Sequence, residues 1–387
     1  PPPPPPVRPP PPPPPSTQRA SRRQRQMCIS VRFLNYTEEV AVITVEPAGA
    51  ISLQKHPSTE GGWQAYTLRG HDWGRARITV RYADGLEQVV HYNVIKPAAE
   101  AVGDMGHFLF TKQWFDDPND PFHRSPCVIN YEGELDRALT QERRAWFAGL
   151  SDEAGAGAWL AATMKEFGQP DPEEVAKLER FVNEVVWGRL QQKEGPNRYG
   201  VRKSLFYYEP ELLPDFEYDP SFDWTGWASW DKKHSEDLGR GYNYPHVVAA
   251  YWSLDRLARN YPELVKVQDW EWYLRQAFET INYAFGRNEH GYHRVGYVEL
   301  GLMEGTVFLR VLEDLRREGW TEQADTVEAL MKGRADRWKG EAYPFGSEMA
   351  WDSTGQEEVY AWCDYLSLIH ISEPTRPRRQ SRMPSSA

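Results

Sequence analysis

The sequence predicts a mainly helical protein, a truncated α/α toroid preceded by a small β-sandwich. Residues 27–97 alternate apolar and polar positions with the period of strands, whereas from about residue 140 the apolar period is helical. The helical part also alternates apolar, small-residue helices with charged amphipathic ones. That alternation is typical of an inner and an outer helical layer.

Both ends of the chain differ in composition from the rest. Residues 1–26 are mostly proline and include five arginines, so we expect a disordered, proline-rich tail that is foreign to the fold. Residues 366–376 read LSLIHISEPTR, which resembles a translated sequencing adapter, and residues 366–387 are therefore interpreted as an artefactual tail. We expect the natural protein to continue differently beyond Tyr365.

Residues 27–97 are predicted to form the β-sandwich, as an accessory domain of about five short strands. Its strongest signal is a hairpin that turns at Asp84-Gly85 between two alternating, β-branched runs. Residues 98–140 are interpreted as a connecting segment.

Residues 141–365 are predicted to form the toroid. Apolar helices begin near residues 151, 245, 302 and 355, and the last three starts lie about 55 residues apart, which is one helical hairpin per repeat. An α-solenoid would show a similar alternation. With three hairpins and the start of a fourth, about half of a ring is expected to be missing. We therefore expect the chain as given to expose apolar helix faces, to be poorly soluble and to be inactive.

The charge and the cysteines restrict the class of protein. The N-terminal tail carries five positive charges and the C-terminal tail a net charge of +3. Because the whole chain has a net charge of −11, the residues between the tails carry −19. Such a charge repels nucleic acids and anionic membranes and fits a neutral or cationic ligand. Three scattered cysteines are too few for a disulfide framework or a zinc cluster. The acidic run at residues 116–120 fits a turn better than a calcium site, so no metal or cofactor is expected.

In a toroid, the loops that precede the inner helices open at the same end. The stretch WASWDKKHSEDLGRGYNYPH, residues 227–246, precedes one inner helix and belongs to a long segment dense in aromatic residues. Aromatic faces suit sugar rings, although anchoring of the loop is the alternative role for the tryptophans and a structural role is the alternative for the histidine. The residues predicted to bind substrate are Trp227, Trp230, Tyr242, Tyr244, His246 and Trp351.

Carboxylates also precede the inner helices. Glu348 and Asp352 lie among aromatic and apolar neighbours, which raise a carboxyl pKa, and glycoside hydrolysis requires two carboxyl groups in unlike surroundings. Thr354 and Glu357 fit a capping box, so a structural role is preferred for Glu357. The catalytic candidates, in order of preference, are Glu348, Asp352, Glu304 and Asp231.

Three segments carry a resemblance to a known group: GYNYPHVVAAYWSLDRLARNYP, GLMEGTVFLRVLEDLRREGW and YPFGSEMAWDSTGQEEVYAW. They resemble secreted bacterial and fungal proteins grouped as a domain of unknown function, and the resemblance covers about residues 28–365. The group is similar to the six-hairpin glycosidase superfamily. The resemblance implies an α/α toroid and an extracellular, carbohydrate-active protein with no known cofactor, but it assigns no catalytic residue.

We therefore predict a glycoside hydrolase that acts on a polysaccharide or oligosaccharide. One alternative is a polysaccharide lyase with Tyr244 or His246 as base, which the charge of −19 disfavours because its substrate would be acidic. A second alternative is a non-enzymatic sugar-binding or scaffold module. The toroid further predicts that Asp231, His246, Glu304 and Asp352 lie at one end of the helical domain.

Overall fold

The computed structural model describes residues 29–34, 36–57, 63–144, 156–341 and 355–367. The chain divides into two compact units, an N-terminal unit that ends at Met105 and a C-terminal unit that begins at Gly106. No helix in the described residues is long and apolar enough to cross a membrane.

Six strands are described in the N-terminal unit: β1 (Ile29–Leu34), β2 (Val40–Glu46), β3 (Ile51–Lys55), β4 (Gln64–Gly70), β5 (Gly74–Tyr82) and β6 (Glu87–Val94). They form two antiparallel sheets with the strand orders β1-β4-β3 and β2-β5-β6. The expected hairpin is confirmed, since β5 and β6 pair from Gly74 opposite Val94 to Arg81 opposite Glu87.

The two sheets share one hydrophobic core. Ile51 and Leu68 come from the first sheet, Ile78 and Val80 from the second, and all four are buried in the same cluster. Along β5 the buried residues alternate with exposed arginines, as the two-residue period of a strand requires. The residues that alternate in the sequence therefore form a small sandwich.

Nine helices are described: α1 (Ala98–Thr111), α2 (Ala156–Gly168), α3 (Pro172–Arg180, continued as a π-helix over Phe181–Leu190), α4 (Lys232–Ser235), α5 (Asn243–Asn260), α6 (Trp270–Phe285), α7 (Thr306–Arg317), α8 (Thr321–Trp338) and α9 (Gln356–Tyr365). In addition, a single 3₁₀ turn spans Pro210–Leu212. Four two-residue strands follow α1: β7 (Trp114–Phe115), β8 (Cys127–Val128), β9 (Tyr131–Glu132) and β10 (Arg137–Ala138).

The connecting segment is more ordered than the sequence suggests. It contains α1 and two short antiparallel ladders, β7 with β8 and β9 with β10. The end of its acidic run is occupied by an ion pair, because buried Asp120 accepts from buried Arg124 at 2.7 Å between Oδ1 and Nη2. Asp116 pairs with Arg180 at 2.9 Å. The Asp120 pair therefore lies within the connector, whereas the Asp116 pair ties the connector to α3.

The longer helices of the C-terminal unit lie in two rows. Helices α2, α5, α7 and α9 contact one another in chain order, and α6 and α8 contact one another behind them. The π-helical end of α3 joins the second row, where Asn183 Nδ2 donates to Tyr273 Oη of α6 at 2.9 Å. The rows follow the inner and outer helices expected from sequence, and closure into a ring stays a prediction.

Helix α7 begins later than the apolar pattern suggests. The pattern places its start near residue 302, but the first helical residue is Thr306. Residues 301–305 instead form a tight loop because Gly301 touches the backbone of Gly355, at the start of α9, with no room for a side chain. This shift moves Glu304 off the helix and into the loop.

Candidate functional site

The segment before α5, the loop before α7 and Gly355, directly before α9, meet at one end of the first row. Besides the contact of Gly301 with Gly355, the backbone of Gly241, before α5, lies against that of Gly296. A β-carbon at Gly301, Gly355 or Gly241 would collide with backbone atoms of the neighbouring segment. The close approach of these segments therefore depends on glycine.

A buried ion pair fixes the loop before α7. Arg334 of α8 donates to Glu358 of α9, with 2.9 Å between Nη2 and Oε2, and both side chains are buried. Arg334 also donates to the Val298 and Leu300 carbonyls at 2.6 and 2.5 Å, while Glu358 accepts from the Leu302 amide at 2.6 Å. The pair thus ties α8, α9 and the loop together.

Glu304 is held in an uncommon conformation within this loop. Its φ is 61°, in the left-handed region that costs a non-glycine residue about 1–3 kcal/mol. Its Oε2 lies 2.8 Å from Nδ1 of His246, a buried residue in the first turn of α5. Among the described residues, Nε2 of His246 has no hydrogen-bond partner. The imidazole of His246 thus orients the Glu304 carboxylate, and the loop constrains the backbone of Glu304.

Glu357, in the first turn of α9, is the second carboxyl group at this end. Glu357 is exposed on one side, but the protein atoms around its carboxyl group partly desolvate it and raise its pKa. The neighbouring charges of Glu304 and Glu358 raise the pKa further, while a hydrogen bond from the Glu304 amide offsets part of the shift. Glu357 therefore stays protonated to a higher pH than an ordinary glutamic acid. The sequence suggested only a capping role for it, and its partner in that motif, Thr354, lies outside the described residues.

Both carboxyl groups line one groove along the first row of helices. Its volume is about 390 Å³, and its apolar wall includes Leu160 of α2, Trp252 of α5 and Val307 of α7. Glu304 is 39% exposed, so its carboxylate is open to the groove. A groove with an apolar wall and two carboxyl groups in unlike surroundings is suited to general acid–base chemistry on a neutral ligand.

Of the other predicted residues, Asp231 has a structural role that the sequence did not indicate. It caps α4, where its Oδ1 accepts from the backbone nitrogen and Nδ1 of His234, both at 2.8 Å. These hydrogen bonds lower its pKa. His246 and Glu304 are in contact, as the expected convergence requires. Asp231 does not line the groove, and its place at the same end stays a prediction.

The two predicted tyrosines at the start of α5 are buried and do not line the groove either. Tyr242 packs against Tyr297 with 5.6 Å between ring centres. Tyr244 donates its hydroxyl to the Leu238 carbonyl at 2.8 Å and accepts from the Val201 amide at 3.1 Å. Burial raises its pKa far above the ordinary value. A general base must be reachable and easily ionised, so the predicted role of Tyr244 as a lyase base is wrong.

The tryptophans of the aromatic segment divide between two environments. Trp230 packs against a small hydrophobic cluster centred on Phe122 and Phe206, and Trp224 stacks on Tyr208 with ring centres 4.8 Å apart. These two anchor the segment, as the alternative interpretation held. Trp227 is 79% exposed, and sugar contact by it stays a prediction.

Glu348, Trp351 and Asp352 lie outside the described residues, so the first two catalytic candidates stay predictions.

Tyr244→Phe is expected to lower the free energy of unfolding by about 1–3 kcal/mol, because it leaves the partly buried Leu238 carbonyl and the buried Val201 amide without their partner. Chemical denaturation of the natural full-length protein measures this, and Tyr292→Phe, at a 71% exposed tyrosine, is the matched control. Unchanged stability combined with lost activity would instead restore Tyr244 as a catalytic residue.

One solved structure, a polysaccharide lyase, resembles this chain with a TM-score of 0.56 and 14% sequence identity. The likeness covers 88% of this chain and 43% of the lyase, so this chain spans less than half of the lyase's length. At this identity the likeness concerns the fold. No curated protein matches the chain.

The family comparison covers both structural units. Residues 28–383 match the model described as "Family of unknown function (DUF5695)". The match includes residues 366–383, and the interpretation of that segment as foreign stays a prediction, as does the six-hairpin assignment. Since the match covers more than half of its length, the chain belongs to the DUF5695 family of unknown function.

Proposed function

We propose that the protein is a carbohydrate-active enzyme that cleaves glycosidic bonds in a polysaccharide or oligosaccharide, with Glu304 and Glu357 as its reacting carboxyl groups. The observation that carries the proposal is the unlike surroundings of these two groups in one groove. Imidazole orients Glu304, whereas partial desolvation and neighbouring charge favour the protonated form of Glu357. An extracellular location would fit such a substrate.

In a glycoside hydrolase these groups would have complementary roles. Glu357 would donate its proton to the leaving glycosidic oxygen, and the Glu304 side chain would activate water or attack the anomeric carbon. His246 is a positioning residue, since it is buried behind Glu304 and does not line the groove. Trp252 and the aliphatic wall would contact the apolar faces of the sugar rings.

A polysaccharide lyase is the second candidate, favoured by the fold-level likeness to a protein of that name. Glu304 would then remove a proton from the carbon beside a uronate carboxylate, and Glu357 would again protonate the leaving oxygen. Arg310 lines the groove and could pair with that carboxylate, although it also contacts Glu313 at 2.9 Å. The acidic surface opposes this candidate, because it repels a polyanion.

Product analysis separates the candidates. The natural full-length protein is incubated with a panel of neutral and uronate-containing polysaccharides. Elimination yields an unsaturated sugar that absorbs in the near ultraviolet, whereas hydrolysis yields new reducing ends without that absorbance. Saturable binding with no product of either kind would refute the enzyme and support a sugar-binding module.

The raised pKa of Glu357 sets an expected pH dependence. As the proton donor, it is active in the protonated form, so kcat/KM should fall as the pH rises through this raised pKa. Glu357→Gln should remove most of the activity and this alkaline limb together. A pH profile that is unchanged in shape in the variant would contradict the assignment.

The free energy of unfolding should also depend on the proton of Glu357. The folded protein binds this proton more tightly than the unfolded chain does, so the stabilisation is present below the ordinary glutamate pKa. It is then lost as the pH rises through the raised value. Thermal melting between pH 4 and 8 should show a weaker loss at the alkaline end in Glu357→Gln, and Glu299→Gln is the control.

A further inference from the structure

The N-terminal unit has an exposed tryptophan beside a cavity that the proposed catalytic groove does not use. We propose that Trp73, Arg75 and Asn93 form an accessory binding site for pyranose units of a polysaccharide. The choice of a sugar as the ligand rests on the proposed function, whereas the site itself rests on the geometry of the sandwich.

Trp73 lies in the turn between β4 and β5 and is 75% exposed, which is unusual for the largest apolar side chain. It borders a cavity of about 500 Å³ whose lining includes Val94 and Ile95. Nζ of Lys96 lies 5.9 Å from the centre of its ring, and Lys96 pairs in turn with Asp104. The ammonium therefore helps to hold the indole at the rim, with most of its surface open to solvent.

Two polar side chains lie next to Trp73 on the exposed face of the sheet. Arg75 of β5 and Asn93 of β6 are direct cross-strand partners, and both line the cavity. Side chains that face each other in this way lie about 5 Å apart. Within the described part of the chain neither makes a side-chain hydrogen bond or an ion pair, although nearby Arg77 and Arg81 have carboxylate partners. Their donors and acceptors are available to a ligand.

This combination fits a sugar ring better than other ligands. The apolar C–H face of a pyranose can stack on an indole, while its hydroxyls bond to a planar amide and a guanidinium at the ring edge. An amide both donates and accepts, as a hydroxyl-rich ligand requires. A protein partner would need a wider apolar area than one tryptophan and a few aliphatic side chains provide.

The test separates binding from turnover. Polysaccharide affinity is measured by affinity electrophoresis on the natural full-length protein in a Glu304→Gln background, which prevents consumption of the ligand. The probes are soluble neutral and uronate-containing polysaccharides. Trp73→Ala should weaken binding about tenfold, or about 1.4 kcal/mol, and Asn93→Ala should weaken it in the same direction. Trp63→Ala, at a 39% exposed tryptophan of the same unit, should leave binding unchanged.

The possible outcomes distinguish the accessory binding site from the proposed enzymatic activity. Without the Glu304 substitution, Trp73→Ala should raise KM on polymers and leave kcat on short oligosaccharides unchanged. Equal affinity of Trp73→Ala and its parent would overturn the accessory site even if polymers are cleaved. Loss of binding in Trp73→Ala without cleavage by any form would keep this site and overturn the proposed enzyme. Failure of the parent to bind any probe would overturn both.

Discussion

Glu304→Gln is expected to lower kcat about 100- to 10,000-fold, the usual contribution of a general acid or base. The amide keeps the size of the side chain but cannot act as base or nucleophile. His246 can still donate to the amide oxygen, so the loop should keep its conformation. The free energy of unfolding should therefore stay close to that of the parent protein.

Glu299→Gln is the matched control for this change. Glu299 belongs to the same loop and its side chain is 40% exposed, against 39% for Glu304, but it pairs with Arg337 and does not line the carboxylate groove. Parent-like activity is expected for it. Full activity in Glu304→Gln, measured on the substrate that the glycan panel identifies, would contradict the assignment.

Glu358→Ala is expected to give the largest loss of stability, about 3–5 kcal/mol, because it leaves the Arg334 guanidinium buried without its counter-charge. This is a large part of a typical total of about 5–15 kcal/mol. The Leu302 amide also loses its acceptor, so the loop that carries Glu304 should loosen and activity should fall with stability. Chemical denaturation and activity measured on the same sample test both effects.

The exposed pair of Arg310 and Glu313 provides the comparison. Both side chains are about half exposed, and Glu313→Ala should change stability by at most about 1 kcal/mol. A double variant, Arg334→Met with Glu358→Leu, should recover part of the loss, since it leaves no charge unpaired. Equal, small effects of Glu358→Ala and Glu313→Ala would show that the buried pair does not hold the loop.

Patterns among neighbouring residues predicted the parts of the fold that form between segments adjacent in the sequence. The alternation in β5 and β6 and the turn at Asp84-Gly85 predicted the hairpin, because burial of one sheet face fixes a two-residue period. The division of the longer helices into two rows agreed with the alternation of apolar and amphipathic helices in the sequence. The position of His246 at a helix start was also predicted, because the neighbouring Pro245 favours the first turn of a helix.

The rest depended on contacts between residues far apart in sequence. Arg334 and Glu358 are 24 residues apart on different helices, and no periodicity indicates that they meet. Trp230 was predicted to bind substrate because its cluster is completed by Phe122, which lies about a hundred residues earlier in the chain. Nothing in the sequence indicated the positive φ of Glu304, because glutamate does not favour that conformation. Glu357 was overlooked because a local capping motif explained it well enough.

The central claim is that Glu304 and Glu357 face the bond that is cleaved, and a crystal structure of the Glu304→Gln protein with a bound oligosaccharide tests it most directly. The oligosaccharide is a fragment of whichever polymer the natural protein cleaves. The account expects a glycosidic oxygen within about 2.6–3.2 Å of a Glu357 carboxyl oxygen, with the residue 304 amide beside the same linkage. An oligosaccharide bound at full occupancy with its linkages away from both side chains would contradict the account.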